Sequence, residues 1–566
     1  MKEFKTLISE KIDNLLAARG VEFSSAELLE HPADPKNGDI SFPCFRLAKL
    51  LRKAPPLIAN DLANELSADS AFEKVEAVNG YLNFFVSKKY FAEKLREINA
   101  DPNFGSTGSG QGKTICLDFS SPNIAKRFHL GHVGTTVIGN ALRNMFDFEG
   151  YKTVAINYLG DWGTQFGKLI VAYKMWSSRE AVEKRGLSEL EDIYIRFNRE
   201  CENDPTLADK GRAAFHELES GNEEYLEIWR YFREISLREY EKTYELLGIK
   251  FDSYNGEAFY TDKMPAIVEE LKEKNLLKQD DGAYVVDLSE YNMPPALILK
   301  RDGSTLYPTR DIAAAKWRKQ EYDFDKCIYV TSAGQSLHFA QWFKVVELMG
   351  YDWAKDLVHV PYGTMSFNGQ KLASRTGNII HLDELFASAA EKALAIIEEK
   401  NAALPDKEET ARAIGCGAIV FNALFNNRMR DTDFNWDTAL SFEGNTGPYV
   451  QYTYARASSV LRKAGNVSDN FGDYEPVEAE ISLIKQMLSF GDKVEQALSD
   501  YEPSVVTRYM LGLCSSFNIF YHDCPVMKAD DKTKAFRVAL TAAVKKVVGK
   551  CLDLLGMKRT EEISRI

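Results

Sequence analysis

The segment from Asp118 to His132, DFSSPNIAKRFHLGH, constrains the fold of this chain more than any other stretch. At its start, this segment overlaps TICLDFSS (114–121), in which apolar and polar side chains alternate. This alternation predicts a β-strand. Downstream, apolar residues recur at helical spacing from Val133 until Gly150 ends the run. The chain therefore passes within a few residues from a strand into a helix, as it does in parallel α/β sheets.

This strand-to-helix junction is suited to binding phosphate. In a parallel α/β sheet, the free N–H groups and the dipole at the start of a helix favour anions. Gly131 lets a nucleotide approach the backbone, and His129 and His132 can donate hydrogen bonds to phosphate oxygens. The alternative interpretation is that the two histidines only pack at the end of the strand.

Composition limits the class of protein. A length of 566 residues predicts three or four domains, and 45% hydrophobic with 27% charged residues is typical of a globular protein. We expect no membrane association and no secretion signal, since the N-terminal helix is charged and amphipathic. The eight cysteines are far apart and form no CxxC pair, which predicts reduced thiols in a cytoplasmic protein and argues against zinc.

The net charge of −13 argues, taken alone, against a nucleic-acid partner. A local basic face can still bind phosphates, because the distribution of charge matters more than its sum.

The predicted organisation is an α/β protein in three parts. Residues 1–105 form a small α/β domain, which the Gly- and Ser-rich linker DPNFGSTGSGQGK separates from the next part. Residues 113–385 carry recurring strand-like runs and form a parallel-sheet domain, with a charged helical insertion at about 168–250. Residues 386–566 form an all-α domain.

The junction and its surroundings resemble a known family. HLGH is similar to the HIGH signature of class I aminoacyl-tRNA synthetases, and SSPNIAKRFHLGH together with NYLGDWGTQFG (157–167) resembles arginyl-tRNA synthetases in particular. The resemblance implies a Rossmann-like catalytic core, an N-terminal domain that binds the tRNA elbow and a helical anticodon-binding domain.

The resemblance also implies a reaction. Arginine and ATP are expected to form arginyl-adenylate, and the arginyl group then passes to tRNA(Arg) with release of AMP and pyrophosphate. Mg²⁺ is expected on the phosphates, zinc is not expected, and the protein is expected to be a monomer. Members of the family generally need bound tRNA before they activate arginine.

The second class I signature, the KMSKS loop, corresponds poorly to QKLASRTGN at 370–378. Lys371 matches the first lysine, but Ser374 stands where the second lysine should be, so the segment is also consistent with a surface turn. Family members that lack this second lysine carry one just before HIGH, and Lys126 occupies that place. The alternative for Lys126 is a solvated loop charge.

The resemblance therefore assigns catalytic roles to His129, His132, Lys126 and Lys371, and ATP binding to His129, Gly131, His132, His338, Met365, Lys371 and Ser374. Packing in the core is the alternative for His338 and Met365, and Trp162 is interpreted as packing rather than adenine stacking.

A pocket for arginine needs acids, because a guanidinium offers a rigid fork of N–H donors that suits carboxylates. Tyr307 and Asp311 lie four apart at the start of a helical run, so both can point one way. The alternative for Asp311 is a helix-terminal charge. The resemblance assigns arginine binding to Asp118, Ser121, Asn123, Tyr307, Asp311 and Gln335, with Glu257 as a weaker candidate. Asp118 departs from the family, which often has Glu there.

Contacts with tRNA are predicted in both outer domains. Tyr449 and Tyr452 lie three apart with Arg456 one turn on, a pattern that suits base stacking and phosphate binding but is also common in helix cores. The resemblance adds Phe517 to this set, and it assigns Tyr81 and Asn83 to the tRNA elbow.

Two other functions remain open at this point. One is another class I enzyme, such as a cysteinyl-type synthetase or a small adenylyltransferase, against which the missing zinc cysteines and the long helical tail argue. The other is a catalytically silent relative that binds tRNA as a regulator or scaffold, for which the poor KMSKS loop is the support.

Overall fold

The computed structural model describes residues 1–368, 370–371 and 379–561, with the backbone alone for 370 and 371. Contacts divide the chain into two compact units. Residues 1–105, 456–492 and 512–548 form the first unit, and residues 106–455, 493–511 and those from 549 on form the second. The division at 105 coincides with the first predicted boundary, whereas the helices after 456 are shared between both units, so the predicted domain limits stay a prediction.

The elements follow in chain order. Residues 1–105 contain α1 (Lys2–Ala18), β1 (Ile40–Pro43), α2 (Ala48–Leu51), α3 (Pro55–Leu66), β2 (Phe72–Val78), β3 (Tyr81–Val86) and α4 (Lys88–Ala100). The next part contains β4 (Thr114–Asp118), α5 (Val133–Phe148), β5 (Lys152–Ile156), α6 (Thr164–Trp176), α7 (Arg179–Arg185), α8 (Leu187–Cys201), α9 (Thr206–Glu219), α10 (Glu223–Leu247), α11 (Met264–Glu273), β6 (Leu277–Asp280), β7 (Ala283–Val286), β8 (Ala296–Leu299), α12 (Tyr307–Tyr322), β9 (Lys326–Ser332), α13 (Ser336–Leu348), β10 (Leu357–Tyr362), β11 (Met365–Phe367) and β12 (Gln370–Lys371). The remainder contains α14 (Leu382–Asn401), α15 (Lys407–Phe425), β13 (Thr432–Phe434), α16 (Trp436–Ala439), α17 (Gly447–Ala464), α18 (Glu478–Leu488), α19 (Phe490–Asp500), α20 (Ser504–Asp523) and α21 (Asp531–Leu555).

The first unit contains an antiparallel sheet in the order β1-β3-β2. Asn79 and Gly80, with φ of 51° and 82°, make the tight turn between β2 and β3, because both positions need the left-handed region. Helices α1, α3 and α4 bury apolar side chains such as Ile8, Leu62 and Leu95.

The second unit is built on a parallel sheet in the order β10-β9-β4-β5. Its strands read as apolar runs because helices cover both faces of such a sheet. Helix α5 connects β4 to β5 on one side of β4, and β9 pairs with β4 on the other side. The crevice at the carboxyl ends of β4 and β9 is therefore the topological switch point, where open α/β sheets bind ligands. The predicted parallel α/β core is confirmed.

The connection between β5 and β9 is long. Helices α6 to α10 form the predicted helical insertion, and the strand-like runs at 283–286 and 296–299 belong to a separate antiparallel sheet, β6-β7-β8, rather than to the parallel one. After residue 382 the described chain is almost entirely helical. None of the helices within the described residues combines the length and apolar character needed to cross a bilayer.

Candidate active site

The loop that leaves β4 bends in an unusual way. Ser120, Ser121 and Ala125 all have positive φ, of 69°, 49° and 64°. A positive φ is strained in a residue other than glycine, and it persists only where surrounding contacts hold the backbone in place. Here the Ser120 N–H donates to Thr135 Oγ1 at 3.0 Å, and the Ser121 N–H donates to Asn157 Oδ1 at 3.1 Å. The loop is thus fixed by the helix and strand that follow it.

The two histidines of HLGH contact each other. Their ring centroids are 4.1 Å apart. The Gly131 N–H donates to His129 Nδ1 at 3.1 Å, and the His129 N–H donates to His132 Nδ1 at 3.2 Å. Because both Nδ1 atoms accept, the proton of each neutral ring lies on Nε2, which is left as a donor.

Burial keeps these imidazoles neutral. It lowers the pKa of His132 to about 3, with the nearby His129 adding to the effect. Burial also lowers the pKa of His129, and the charges of His381 and Lys126 act in the same direction. Gly131 is required between them, since a Cβ there would approach His129 Cε1 to 2.7 Å.

A cluster of acids lies beside the carboxyl end of β4. Asp311, on the first turns of α12, binds His338 with 2.5 Å between Oδ2 and Nε2. Glu257 Oε2 lies 3.9 Å from Arg310 Nη1. Burial raises the pKa of Glu257 to about 7, against the effect of Arg310 and with a contribution from Asp311. Burial likewise raises the pKa of Asp118, and the negative charge of Asp311 adds to that rise. The two carboxylates therefore interact electrostatically.

Asp118 is engaged by the protein itself. Its Oδ2 is 2.9 Å from Arg318 Nη1, and its Oδ1 accepts from Ser121 Oγ at 2.9 Å. Arg318 is 1% exposed and its guanidinium lies 5.2–5.9 Å from the rings of three tyrosines, Tyr158, Tyr260 and Tyr329. Direct pairing of Asp118 with a substrate guanidinium does not fit this placement, because an internal arginine already occupies the carboxylate.

Sequence reasoning missed Arg318, although a signal was present. Arg318 follows Asp311 by seven residues on the same helix, so both lie on one face of α12. Arg318 lies two turns after Asp311, which is predicted to line the pocket. A basic residue on that face is a candidate partner for the carboxylate of Asp118, which is predicted to line the same pocket.

The other predicted site residues lie around this crevice. Tyr307 begins α12 and is 67% exposed, and Gln335 lies exposed in the turn between β9 and α13. Asn123 is exposed, and its Oδ1 lies only 1.9 Å from where a Cβ on Gly160 would be, so a side chain at position 160 would displace that of Asn123. Lys126 is exposed, with Nζ 5.8 Å from the Tyr194 ring.

The KMSKS-like segment is only partly covered. Met365 begins β11, Lys371 ends β12 with no description of its side chain, and Ser374 lies outside the described residues. Trp162 packs edge-on against Phe215 and Trp229 at 5.6 and 5.5 Å, which fits its interpretation as a packing residue.

The predicted tRNA contacts have mixed placements. Tyr81 is partly exposed and meets the Phe45 ring edge-on at 5.2 Å. Asn83 is 2% exposed and accepts from Ser41 Oγ at 2.7 Å, and Phe517 is 0% exposed. These two burials count against direct contacts of Asn83 and Phe517 with bases, because strand pairing and helix packing already use both side chains.

On α17, Tyr449 and Tyr452 are partly exposed. Arg456 Nη1 donates to Asn518 Oδ1 at 2.7 Å, and its guanidinium lies 4.8 Å from the Tyr521 ring. Base stacking by the two tyrosines stays a prediction.

Comparisons with known proteins cover the whole chain. Family models match in chain order: the arginyl tRNA synthetase N terminal domain at 2–86, the catalytic domain of class I (R) tRNA synthetases at 95–436 and the DALR anticodon binding domain at 450–563. The arginine–tRNA ligases of Alkaliphilus metalliredigens (strain QYMF) and Clostridioides difficile (strain 630) are each 47% identical to this chain. Both alignments cover 100% of this chain and 100% of the relative.

Solved structures agree with these matches. The arginyl-tRNA synthetase of Thermus thermophilus is 26% identical with a TM-score of 0.78, over 98% of this chain and 99% of that one. A methionyl-tRNA synthetase of Mycobacterium tuberculosis, in complex with methionyl-adenylate, is 10% identical with a TM-score of 0.52, over 78% of this chain and 91% of that one, and shares the fold alone. The chain therefore belongs to the arginyl-tRNA synthetase family.

Proposed function

We propose how this chain, an arginine–tRNA ligase, activates its amino acid. The acids at the carboxyl end of β4 hold the guanidinium of arginine, and the HLGH imidazoles hold the phosphates of ATP. The observation that carries the proposal is the pair of partly buried acids, Asp311 and Glu257, whose charges act on each other, with Asp311 also acting on Asp118 at the end of β4. The full-length match to arginine–tRNA ligases argues against another class I enzyme.

In the pocket, Asp311 and Glu257 are the acids available to a guanidinium. Tyr307 begins the helix that carries Asp311 and is exposed, so its ring is available to an incoming substrate. Asp118 acts indirectly, because its salt bridge with Arg318 and its bond from Ser121 fix the bent loop. Ser121, Asn123 and Gln335 are then proposed to bind the backbone end of arginine. A site of two partly buried acids disfavours neutral side chains, since the carboxylates would be left without a cationic partner.

The chemistry needs no protein nucleophile. The carboxylate of arginine attacks the α-phosphorus of ATP, the bond to pyrophosphate breaks, and arginyl-adenylate forms. A ribose hydroxyl of the terminal adenosine of tRNA then attacks the arginyl carbonyl, and AMP leaves. The Nε2–H groups of His129 and His132 donate to the phosphates as charge develops, and Lys126 supplies a mobile cation in place of the second KMSKS lysine.

Magnesium is expected from the family resemblance. Within the described ranges, no group of three or more His, Cys, Asp or Glu side chains could hold a metal ion by itself. These residues therefore do not form a protein-held magnesium site. Binding of the tRNA elbow around Tyr81, binding of the anticodon around Tyr449 and Tyr452, and operation as a cytoplasmic monomer belong to the same proposal.

ATP–pyrophosphate exchange tests the proposed function. The exchange is measured with each of the standard amino acids, with and without total tRNA. We expect exchange with arginine alone, and only when tRNA is present. Exchange with a different amino acid contradicts the proposal, and absence of exchange under every condition favours the catalytically silent relative.

Binding of arginine should weaken as pH falls through 7. The pKa of Glu257 is raised by burial to about 7, so this carboxylate is ionised at pH 8 and mostly protonated at pH 6, whereas arginine stays cationic. The KM for arginine should therefore rise by up to about tenfold per pH unit below this pKa. Steady-state exchange between pH 5.5 and 8.5 measures it. Burial lowers the pKa values of the HLGH histidines, which is opposite to its effect on the pKa of Glu257.

The control for this pH dependence is Glu257→Gln. This variant should have a raised KM for arginine that no longer changes across the window. A wild-type KM for arginine that is flat from pH 8 to pH 6 would show that ionised Glu257 does not bind the substrate.

A further inference from the structure

His381, which no sequence signature marks, lies against the first histidine of HLGH. It precedes α14 and forms an isolated antiparallel bridge with His129. The Leu130 N–H donates to the Ile380 carbonyl at 2.9 Å, and the Leu382 N–H donates to the Phe128 carbonyl at 2.9 Å. The segment that follows the KMSKS-like loop is thus paired with the backbone of HLGH.

The pattern of these two bonds fixes where the histidine side chains point. The two hydrogen bonds lie on either side of the bridge between His129 and His381, and neither joins the two histidines directly. His129 and His381 therefore form a non-hydrogen-bonded antiparallel pair. In such a pair the two side chains lie on the same face and close together. His381 therefore shares the face of His129, which is in ring contact with His132.

Within the described part of the chain, neither helix capping nor a hydrogen bond to Nδ1 accounts for the imidazole of His381. It makes no capping hydrogen bond to α14, although it occupies the N-cap position. Its Nδ1 is buried and has no hydrogen-bond partner among the described residues. Buried polar atoms are nearly always paired, so an unpaired one beside a ligand site points to a ligand.

Charged groups of both signs lie around His381. Lys126 and Arg127 belong to the same loop as His129, and Arg127 Nη2 is tied to Asp383 Oδ1 at 2.9 Å and Glu384 Oε1 at 3.1 Å. Glu191 of α8 faces the group, with Oε1 accepting from the Arg127 N–H at 2.6 Å. Asp383 and Glu384 are paired with the Arg127 guanidinium and Glu191 accepts from its backbone, so Lys126 and the three imidazoles offer donors to an incoming anion.

We propose that His381 is a third imidazole of the nucleotide site and contacts the phosphate chain of ATP beside His129. The proposal rests on the proposed function, because it takes HLGH to be the ATP-phosphate site. It also gives the segment after the KMSKS-like loop a direct part in binding: the chain that leaves the loop returns to HLGH and adds a donor there.

The test compares ATP with adenosine, which lacks phosphates. In exchange assays with saturating arginine and tRNA, His381→Phe should raise the KM for ATP by about tenfold to a hundredfold, the range for loss of one hydrogen bond to a charged group. The KM for arginine and the inhibition constant of adenosine should change by less than about twofold, since neither contacts this imidazole. His381→Gln keeps a side-chain donor and should recover much of the loss.

His216→Phe is the matched control, because His216 is an exposed histidine on α9. Equal loss of ATP and adenosine affinity in His381→Phe would overturn the proposal, and so would unchanged ATP kinetics or a Gln variant as impaired as the Phe variant. If His381→Phe does not fold, His381→Ala replaces it in the ATP-to-adenosine comparison, with the same outcomes expected and the same outcomes overturning the proposal. Failure of the proposed function looks different, since wild-type protein would then show no arginine-dependent exchange.

Discussion

Asp311→Asn should abolish most arginine activation while leaving ATP binding intact. The amide keeps the shape of the side chain and can still accept from His338 Nε2, so the change removes the charge and little else. Loss of one charge from a buried ion pair costs about 3–5 kcal/mol; for the partly buried Asp311 this is the upper range, a decrease of up to roughly 10²- to 10⁴-fold in kcat/KM for arginine. ATP–pyrophosphate exchange with tRNA present measures both substrates, and the KM for ATP should stay within about twofold of wild type.

The matched control is Asp323→Asn at the other end of α12, where the aspartate side chain is 92% exposed. This variant should behave as wild type, since exposed charges contribute about 0–1 kcal/mol. A kcat/KM for arginine in Asp311→Asn that stays close to wild type would show that the substrate guanidinium does not pair with Asp311.

Arg318→Met should produce the largest loss of stability. The change leaves the carboxylate of Asp118, which is 5% exposed, without its cation in the core of the second unit. Breaking such a buried pair destabilises a protein by about 3–5 kcal/mol, because an uncompensated charge remains. The melting temperature should fall by several degrees, and exchange should decline because the bent loop loses its support.

Two comparisons identify the cause of that loss. Arg230→Met breaks an exposed ion pair with Glu223 and should lower stability by about 0.5 kcal/mol or less. Asp118→Asn combined with Arg318→Met removes both charges and should recover part of the stability lost by Arg318→Met alone. Equal melting temperatures for Arg318→Met and Arg230→Met would contradict a structural role for the buried pair.

The fold was predictable where local patterns decide it. The alternation in 114–121 and the helical spacing after Val133 are properties of neighbouring residues, and β4 and α5 form where these patterns predict. The runs at 283–286 and 296–299 also have strand character, but nothing local says which sheet a strand joins. Sheet membership depends on long-range pairing, so the sequence predicts these strands but not the sheet that each one joins.

The candidate site was predictable residue by residue but not as a network. The resemblance supplied Asp118, Asp311 and the HLGH histidines. It did not reveal that Asp118 is satisfied internally by Arg318, since such a partner is defined by packing between β4 and α12 rather than by a motif. His381 was missed for the same reason, because its relation to His129 exists only through backbone pairing between distant segments.

The most direct test of the acid pocket compares arginine with citrulline, which has nearly the same shape but a neutral ureido group. The measurement is tRNA-dependent ATP–pyrophosphate exchange at pH 8, where Glu257 is ionised. We predict a preference for arginine of about 10⁴-fold or more in kcat/KM, the discrimination available to a site whose buried polar groups would be left unpaired. Citrulline activation within about tenfold of arginine would mean that shape rather than charge selects the substrate.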